Sequence, residues 1–184
     1  MADTKTDDID LNTPIERFVR PGYLVRRLHQ ICISVFLETA RDLNLTSVQY
    51  AILVGIEIYP GIDQMSLGKL VALDRQTVSN VVSRLHTRGL VDKLDKNKRT
   101  KALFLTEPGR EVIAAMDGRT QGVDATILAP LAADEQDQFM ALLLKVVSKN
   151  NMLSRAPIDT EKVRNKLDEI DQSTAAGARQ ASSH

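Results

Sequence analysis

The chain has 184 residues, of which 43% are hydrophobic and 26% charged, as in an ordinary soluble protein with one domain or one domain and an extension. Only 4% of the residues are aromatic and none is Trp, so the core must be aliphatic. A single cysteine excludes an intrachain disulfide, and no apolar run approaches the roughly 20 residues that span a bilayer. The polar, acidic N-terminus is unlike a secretory signal, so we expect a cytoplasmic protein without a membrane segment.

Charge is distributed unevenly, although the formal net charge is zero. Residues 75–101 carry eight Lys or Arg and two Asp, whereas the first sixteen residues carry five acids and one Lys. A partner responds to the local field within about 10 Å at ordinary salt. The zero net charge therefore does not exclude a nucleic-acid partner, which the basic segment could bind.

The first predicted elements are a disordered acidic tail over 1–12 and a long helix over 13–43. Pro21-Gly22 predicts a kink or restart within that helix. A second helix should follow Thr46 as its N-cap and run to about Ile58, and a third should begin near Ser66. Apolar residues recur at helical spacing along the first helix, at Leu24, Leu28, Ile31 and Val35. In the third helix, the residues expected to face inward are Leu67, Leu70 and Val71.

The fourth predicted helix is the best delimited of all. Asp74 can cap its start and Gly89 can end it in the left-handed conformation. One side is apolar and the opposite side is polar and nearly uncharged: Val78, Val81, Val82 and Leu85 against Gln76, Ser79, Asn80 and Ser83.

Two short β-type runs, 90–94 and 102–105, then predict a hairpin with a basic tip. Thr106 should cap a fifth helix that runs to about Leu128. A sixth helix should begin near Asp134 and end near Lys149, with acids at its start and lysines at its end. Beyond Pro157 the sequence predicts one more short helix, and 173–184 a disordered tail.

The order helix, turn, helix, Gly and basic hairpin is typical of a winged helix-turn-helix. We therefore predict a mainly α fold with a small β-hairpin wing, comprising a winged lobe over 45–110 and dimerisation helices over 13–44 and 107–172. A polar helix face can read base edges in the major groove, and cations can contact phosphates. The candidate DNA-contacting residues are Arg75, Gln76, Thr77, Ser79, Asn80, Ser83 and Arg84 on the fourth helix, and Lys96, Lys98, Arg99 and Lys101 on the hairpin.

A continuous set of motifs over 45–110 resembles the MarR family of regulators. The segments that carry the resemblance are Leu45-Thr46-Ser47-Val48-Gln49-Tyr50, Leu67-Gly68-Lys69-Leu70, Asp74-Arg75-Gln76-Thr77-Val78, Arg88-Gly89-Leu90-Val91 and Leu105-Thr106-Glu107-Pro108-Gly109-Arg110. The resemblance implies a homodimer whose first and last helices interleave around a two-fold axis. One position departs from the family: the acid that usually precedes the arginine at 99 is Lys98 here, which removes the usual Asp–Arg brace and makes the wing more basic.

The first helix also carries a polar stripe formed by Tyr23, Arg27, Gln30 and Ser34. The MarR resemblance implies that this part of the helix lines a cleft, with Ser47 and Tyr50, in which many members bind small aromatic acids. The candidate ligand-binding residues are Arg27, Gln30, Ser47 and Tyr50, with Arg27 as the partner of a carboxylate. Such a set suits a hydroxylated benzoic or nicotinic acid. The alternative is a solvated or interface stripe, with Tyr50 packed in the core.

We therefore expect a sequence-specific transcriptional repressor that binds a pseudo-palindromic operator as a homodimer and is released by a small aromatic acid. Two alternatives remain: a winged helix that binds only proteins, and a redox-sensing regulator that acts through Cys32, although a lone cysteine is more often a small core residue. The histidines are too scattered for a zinc site, and no phosphate-binding or nucleophile motif is present. We expect no catalytic residue, metal or cofactor.

Overall fold

The computed structural model describes residues 19–97, 100–154 and 157. Several sequence expectations lie outside these residues: both predicted tails, the start of the first predicted helix, the helix expected beyond Pro157, and two wing cations, Lys98 and Arg99.

The described residues form a mainly helical protein with a small antiparallel sheet. The helices are α1 (Pro21–Thr39), α2 (Ser47–Ile58), α3 (Gln64–Leu70), α4 (Arg75–Thr87), α5 (Glu107–Met116), α6 (Arg119–Leu128) and α7 (Ala133–Lys149). The strands are β1 (Ile62–Asp63), β2 (Val91–Asn97) and β3 (Thr100–Leu105), and β3 lies between the other two. Short 3₁₀ turns occur at Arg41–Leu43 and Asn151–Leu153. The predicted fold class, a winged lobe with additional helices, is confirmed.

Helix α1 begins at Pro21, so of the two alternatives, a kink or a restart, the structure has a helix start there. The first position of a helix needs no backbone N–H donor, and the fixed φ of proline suits it, so this proline starts the helix. The helix ends at Thr39, and the following turn closes at Asn44, which adopts the left-handed conformation with φ 47°. The predicted end near residue 43 was therefore slightly late.

Side chains cap the helices of the lobe as the sequence predicts. Thr46 accepts a hydrogen bond from the Gln49 N–H at 3.2 Å, and the Gln49 side chain accepts one from the Thr46 N–H at 3.0 Å. Helix α3 begins two residues before the predicted Ser66, because Asp63 caps it. Its Leu67 is buried as expected, but Leu70 is exposed, which corrects the prediction for that residue.

The predicted fifth helix is two helices, α5 and α6. Asp117 leaves the helical conformation, with ψ 130°, and Gly118 is left-handed, with φ 76°, so the two residues form a turn between the helices. Glycine adopts this conformation without the steric cost that a Cβ brings. The Asp-Gly pair was the available sequence signal for a break.

The sheet contains one strand more than the predicted hairpin. The two residues of β1 pair with β3, Ile62 opposite Leu103 and Asp63 opposite Ala102. A two-residue strand is too short to show alternation in the sequence. Strand β2 also continues past residue 94 to Asn97.

The main core lies inside the winged lobe and extends beyond the predicted bounds of 45–110. Its earliest buried member is Phe36 in α1 and its last is Met116 in α5. Between them α2, α3, α4 and the sheet contribute aliphatic side chains, including Ile52, Leu53, Leu67, Val82, Leu85 and Leu103. The end of α1 and all of α5 therefore belong to the lobe.

The outer helices bury far less of their surface. Helix α1 packs against α6 and buries only Phe36, and α7 buries none of its residues. Their exposed large apolar residues include Leu24, Val25, Ile31 and Leu37 on α1, and Met140, Leu142, Val146 and Val147 on α7. Within the described ranges, no helix is long and apolar enough to cross a membrane.

Candidate DNA-binding surface and effector cleft

Helix α4 is fixed at its start by Asp74. The carboxylate accepts hydrogen bonds from the Thr77 N–H at 2.9 Å and from the Thr77 hydroxyl at 2.7 Å. These bonds lower the pKa of Asp74 below its ordinary value of 3.8. Thr77, a candidate DNA contact, therefore donates its hydroxyl proton to the cap, and its half-buried side chain serves the helix start.

The polar face of α4 is exposed at Gln76, Asn80 and Ser83, while Ser79 is half-buried. The Gln76 side-chain nitrogen donates to the Asn80 oxygen at 3.1 Å, so the two amides hold each other in a defined arrangement. The opposite face is fully buried at Val78, Val82 and Leu85. A helix anchored in this way presents short donors and acceptors on a rigid support, as base readout requires.

Two arginines flank this face. Arg75 and Arg84 are exposed, and neither forms a hydrogen bond or an ion pair within the described part of the chain. Both guanidinium groups are therefore available to phosphate oxygens or to the acceptors of guanine.

An ion pair joins the two strands of the wing. Asp95 and Lys101 are opposite each other on β2 and β3, and the Lys101 Nζ lies 2.6 Å from the Asp95 Oδ1. Both side chains are exposed, so the pair adds little stability. It nevertheless neutralises one of the predicted wing cations. Lys96 lies on β2, whereas Lys98 and Arg99 lie outside the described residues.

The four candidate ligand residues do not all meet within one protomer. Ser47 and Tyr50 are half-buried at the start of α2, and the Tyr50 ring packs on Phe36 with 5.6 Å between centroids. Arg27 and Gln30 are exposed on α1. Because Arg27 precedes Phe36 by nine residues, at about 100° per residue the two lie on opposite faces of α1. Arg27 is therefore not beside Tyr50, which partly packs against the core as the alternative interpretation held.

The surroundings of Tyr50 are acidic. Burial raises the pKa of the Tyr50 hydroxyl above 10.0, and the carboxylates of Asp117 and Glu57 act in the same direction. A hydrogen bond with Thr120 opposes the shift.

Sequence reasoning missed two sets of contacts around the α1–α2 connection. Arg88, at the end of α4, donates to the backbone oxygens of Asn44 at 2.9 Å and of Leu43 at 3.1 Å. On the other side, Arg119 of α6 forms two hydrogen bonds with the carboxylate of Asp42, at 2.8 and 3.1 Å. Arg88 stood in a recognised motif, but no local pattern reveals partners so distant in sequence.

An open groove of about 430 Å³ lies between the start of α2 and the second half of α4. It is lined by Asn44, Thr46, Gln49, Ser83, Arg84, Thr87 and Arg88, and it contains only Ser83 and Arg84 of the predicted DNA-contacting set and none of the predicted ligand residues. Cys32 is half-buried on α1. In the part of the chain that the structure describes, no three His, Cys, Asp or Glu residues are grouped as metal ligands would be.

The packed α4, its exposed polar face and the adjacent hairpin define a DNA-binding winged helix-turn-helix. Comparison with known proteins gives the family: residues 43–99 match the family model described as MarR family. The transcriptional repressor NicR of Pseudomonas putida is 30% identical, over 76% of this chain and 89% of its own.

Solved structures agree with this assignment. The PcaV transcriptional regulator of Streptomyces coelicolor, in complex with its natural ligand, is 40% identical over 70% of this chain and 92% of its own, with a TM-score of 0.63. Bordetella bronchiseptica BpsR, whose DNA binding is regulated by 6-hydroxynicotinic acid, is 26% identical over 70% and 93%, with a TM-score of 0.66. The chain belongs to the MarR family of transcriptional regulators, which confirms the resemblance seen in the sequence.

Proposed function

We propose that this regulator is a repressor that binds a pseudo-palindromic operator as a homodimer and is released by a small aromatic acid. The observation that carries the proposal is the exposed polar face of α4, supported from behind by fully buried residues. The likeness to NicR, a repressor, supports repression over activation. The likeness to BpsR, whose DNA binding is regulated by 6-hydroxynicotinic acid, supports the class of ligand. A two-fold dimer would place two α4 helices about one turn of DNA apart.

Base readout is the first part of this function to test. Asn80→Ala or Gln76→Ala removes one of two paired amides, so discrimination at particular base pairs should fall by about 1–3 kcal/mol. Binding to unrelated DNA should hardly change. Gln121→Ala, an exposed glutamine on α6, is the matched control. Equal weakening on every sequence would show that this face does not read bases.

The electrostatics of Tyr50 suggest how an effector would be oriented. Asp117 and Glu57 disfavour a carboxylate at the Tyr50 hydroxyl, whereas a ligand hydroxyl could donate a hydrogen bond there. The ligand carboxylate would then point away, toward a guanidinium. Arg27 remains our candidate for it, because it is exposed and without a hydrogen bond or ion pair among the described residues. Since Arg27 and Tyr50 are not adjacent within one chain, a single small ligand could contact both only across the interface of the proposed homodimer. Gln30 and Ser47 would supply further hydrogen bonds.

Release would follow from a population shift. The ligand would bind more tightly to a conformation in which the spacing of the two α4 helices does not match the operator. The difference between its binding free energies for the two conformations sets the loss of operator affinity, and a difference of about 1.4 kcal/mol gives a tenfold loss. The experiment is a panel of hydroxybenzoic and hydroxynicotinic acids in an operator-release assay. The Arg27→Ala variant should no longer respond to the acid. Arg26→Ala is the control, because it removes a neighbouring arginine of α1 whose guanidinium carbon already lies over the Tyr23 ring, 5.6 Å from its centre.

The outcomes separate the parts of the proposal. If no aromatic acid releases the operator, the ligand class is wrong. If one acid releases DNA equally well from wild type and Arg27→Ala, the ligand class stands and Arg27 is not its anchor.

A further inference from the structure

The connection between α1 and α2 is held from two sides by arginines of other helices. We call residues 40–46 the hinge segment; it contains the Arg41–Leu43 turn and the left-handed Asn44. One arginine belongs to α6, outside the lobe core, and the other ends α4, the helix that carries the DNA-binding face. The segment therefore lies between an outer helix and the DNA-binding helix.

The contact with α6 is geometrically specific. The two Nη atoms of Arg119 donate to the two oxygens of Asp42 at 2.8 and 3.1 Å, and Nη1 also lies 3.3 Å from the Thr39 oxygen. Paired bonds of this kind fix both distance and orientation. The same pair lowers the pKa of Asp42, chiefly through the hydrogen bond from Arg119.

The contact with α4 involves consecutive carbonyl groups. Arg88 donates to the oxygens of Leu43 and Asn44, and its Nη1 lies 3.5 Å from the Gln49 side-chain oxygen. Asn44 has φ 47° and ψ 51°, a conformation that asparagine tolerates better than most residues. At this turn one guanidinium reaches both carbonyls and also Gln49, whose side chain accepts the hydrogen bond from the Thr46 N–H at the start of α2.

These contacts are too exposed to contribute much to stability. The side chains of Asp42 and Arg119 are 60% and 37% exposed, and Arg88 is also exposed. Exposed pairs are screened by water and salt. Their geometry, by contrast, connects the end of α4 to α6 through the hinge segment. A positioning role and a stabilising role therefore make different predictions.

We propose that Arg119, Asp42 and Arg88 are positioning residues that transmit the placement of α6 through the hinge segment to the DNA-binding helix. The inference depends on operator binding, but it does not depend on the effector or on Arg27. None of the three residues needs to contact DNA.

The test uses the full chain, an operator fragment recovered from co-purified DNA, and unrelated DNA. Arg88→Gln, Asp42→Asn and Arg119→Gln should each weaken operator binding by about threefold to thirtyfold. The salt dependence, the binding of unrelated DNA and the melting temperature should stay as in wild type. Arg110→Gln, which removes the exposed pair with Glu107, is the control and should bind normally.

Two further variants distinguish transmission from separate local effects. The exchange Asp42→Arg with Arg119→Asp should recover most of the lost operator affinity, because it restores the ion pair. Arg88→Gln combined with Asp42→Asn should lose less affinity than the two single losses together, because both interrupt one connection.

Other results would overturn the inference. If Arg88→Gln lowers the salt slope by about one unit per phosphate, Arg88 is a DNA contact. If melting temperature and operator affinity fall together in all variants, the contacts are only structural. If the variants bind like wild type, the hinge segment transmits nothing. Failure of the wild type to bind any operator would instead refute the proposed function.

Discussion

The winged lobe and the outer helices use similar apolar side chains in opposite ways. In α4 Val78, Val82 and Leu85 are 0% exposed, whereas in α7 Leu142 and Val146 are 54% and 59% exposed. Helix α7 has 17 residues and buries none. An amphipathic helix without a partner surface signals an interface, since exposed apolar stretches of this size are uncommon in monomers. The core of the lobe is buried within one chain, and we propose that the outer helices are covered by a second copy.

The two regions also differ in how their helices begin. In the lobe Thr46, Asp63, Asp74 and Thr106 each accept a backbone hydrogen bond at a helix start. The N-caps of α1 and α6, Arg20 and Gly118, make no side-chain cap. Side-chain caps thus define the starts of these lobe helices, whereas α1 and α6 begin without one. Helix α7 resembles the lobe helices in this respect, because the Glu135 side chain accepts a hydrogen bond from the Ala132 N–H at 2.8 Å.

Leucine truncation should affect the two regions differently. Leu85→Ala empties a fully buried site in α4, so the free energy of unfolding should fall by about 2–5 kcal/mol at any protein concentration. Leu142→Ala in α7 should lower the free energy of unfolding of a single chain far less than Leu85→Ala does. It should instead raise the dissociation constant of the dimer. Denaturant melts at several concentrations measure both. A concentration-independent loss of equal size at Leu142 would mean that α7 packs within its own protomer.

Two glycines provide a second contrast. A Cβ on Gly109 would lie 2.2 Å from the Leu90 oxygen, which accepts a hydrogen bond from the Thr106 N–H and cannot easily retreat. Gly109→Ala should therefore destabilise the lobe by about 1–3 kcal/mol. A Cβ on Gly122 in α6 meets nothing within 4 Å, so Gly122→Ala should stabilise by about 0.5–1 kcal/mol.

Thermal melts would check the pair. Stabilisation by both substitutions would show that α5 does not approach the Leu90 carbonyl closely enough to exclude a Cβ. A strong loss of thermal stability in Gly122→Ala would indicate that this side of α6 lies in the dimer interface.

The smallest expected effect concerns pH. The folded state lowers the pKa of Asp74 below 3.8, so its ionised cap contributes stability above that pH, and the contribution is lost as pH falls through the folded value. Asp74→Asn retains a capping side chain but cannot titrate. As pH is lowered below about 4, the stability of the Asp74→Asn variant should thus fall less steeply than that of the wild type. Asp124→Asn, exposed on α6, controls for the loss of one charge; an equal flattening there would contradict the assignment.

The sequence predicted those parts of the fold that local chemistry determines. Thr46, Asp74 and Thr106 were expected to cap helices, and all three accept the expected hydrogen bonds. The break at Gly118 was missed because apolar periodicity continues across it. Strand β1 was missed because its two residues gain their conformation from pairing with β3.

The candidate site was less predictable because it depends on distant parts of the chain. The spacing of Gln76 and Asn80 was enough to place both on one exposed face. Nothing in the sequence joined Asp42 to Arg119, or Arg88 to the turn before α2, since these pairs form only after α6 and α4 have packed. Likewise the grouping of Arg27 with Tyr50 rested on the family resemblance, and helix geometry separates them within one chain.

The central claim is that α1 and α7 are completed by a second copy, which would set the spacing of the two α4 helices. Sedimentation equilibrium of the full chain at micromolar concentration tests it most directly. We expect a particle of twice the 20.4 kDa chain mass. Val146→Glu, which places a charge on the exposed apolar face of α7, should reduce it toward the mass of one chain. A wild-type monomer at that concentration would contradict the account.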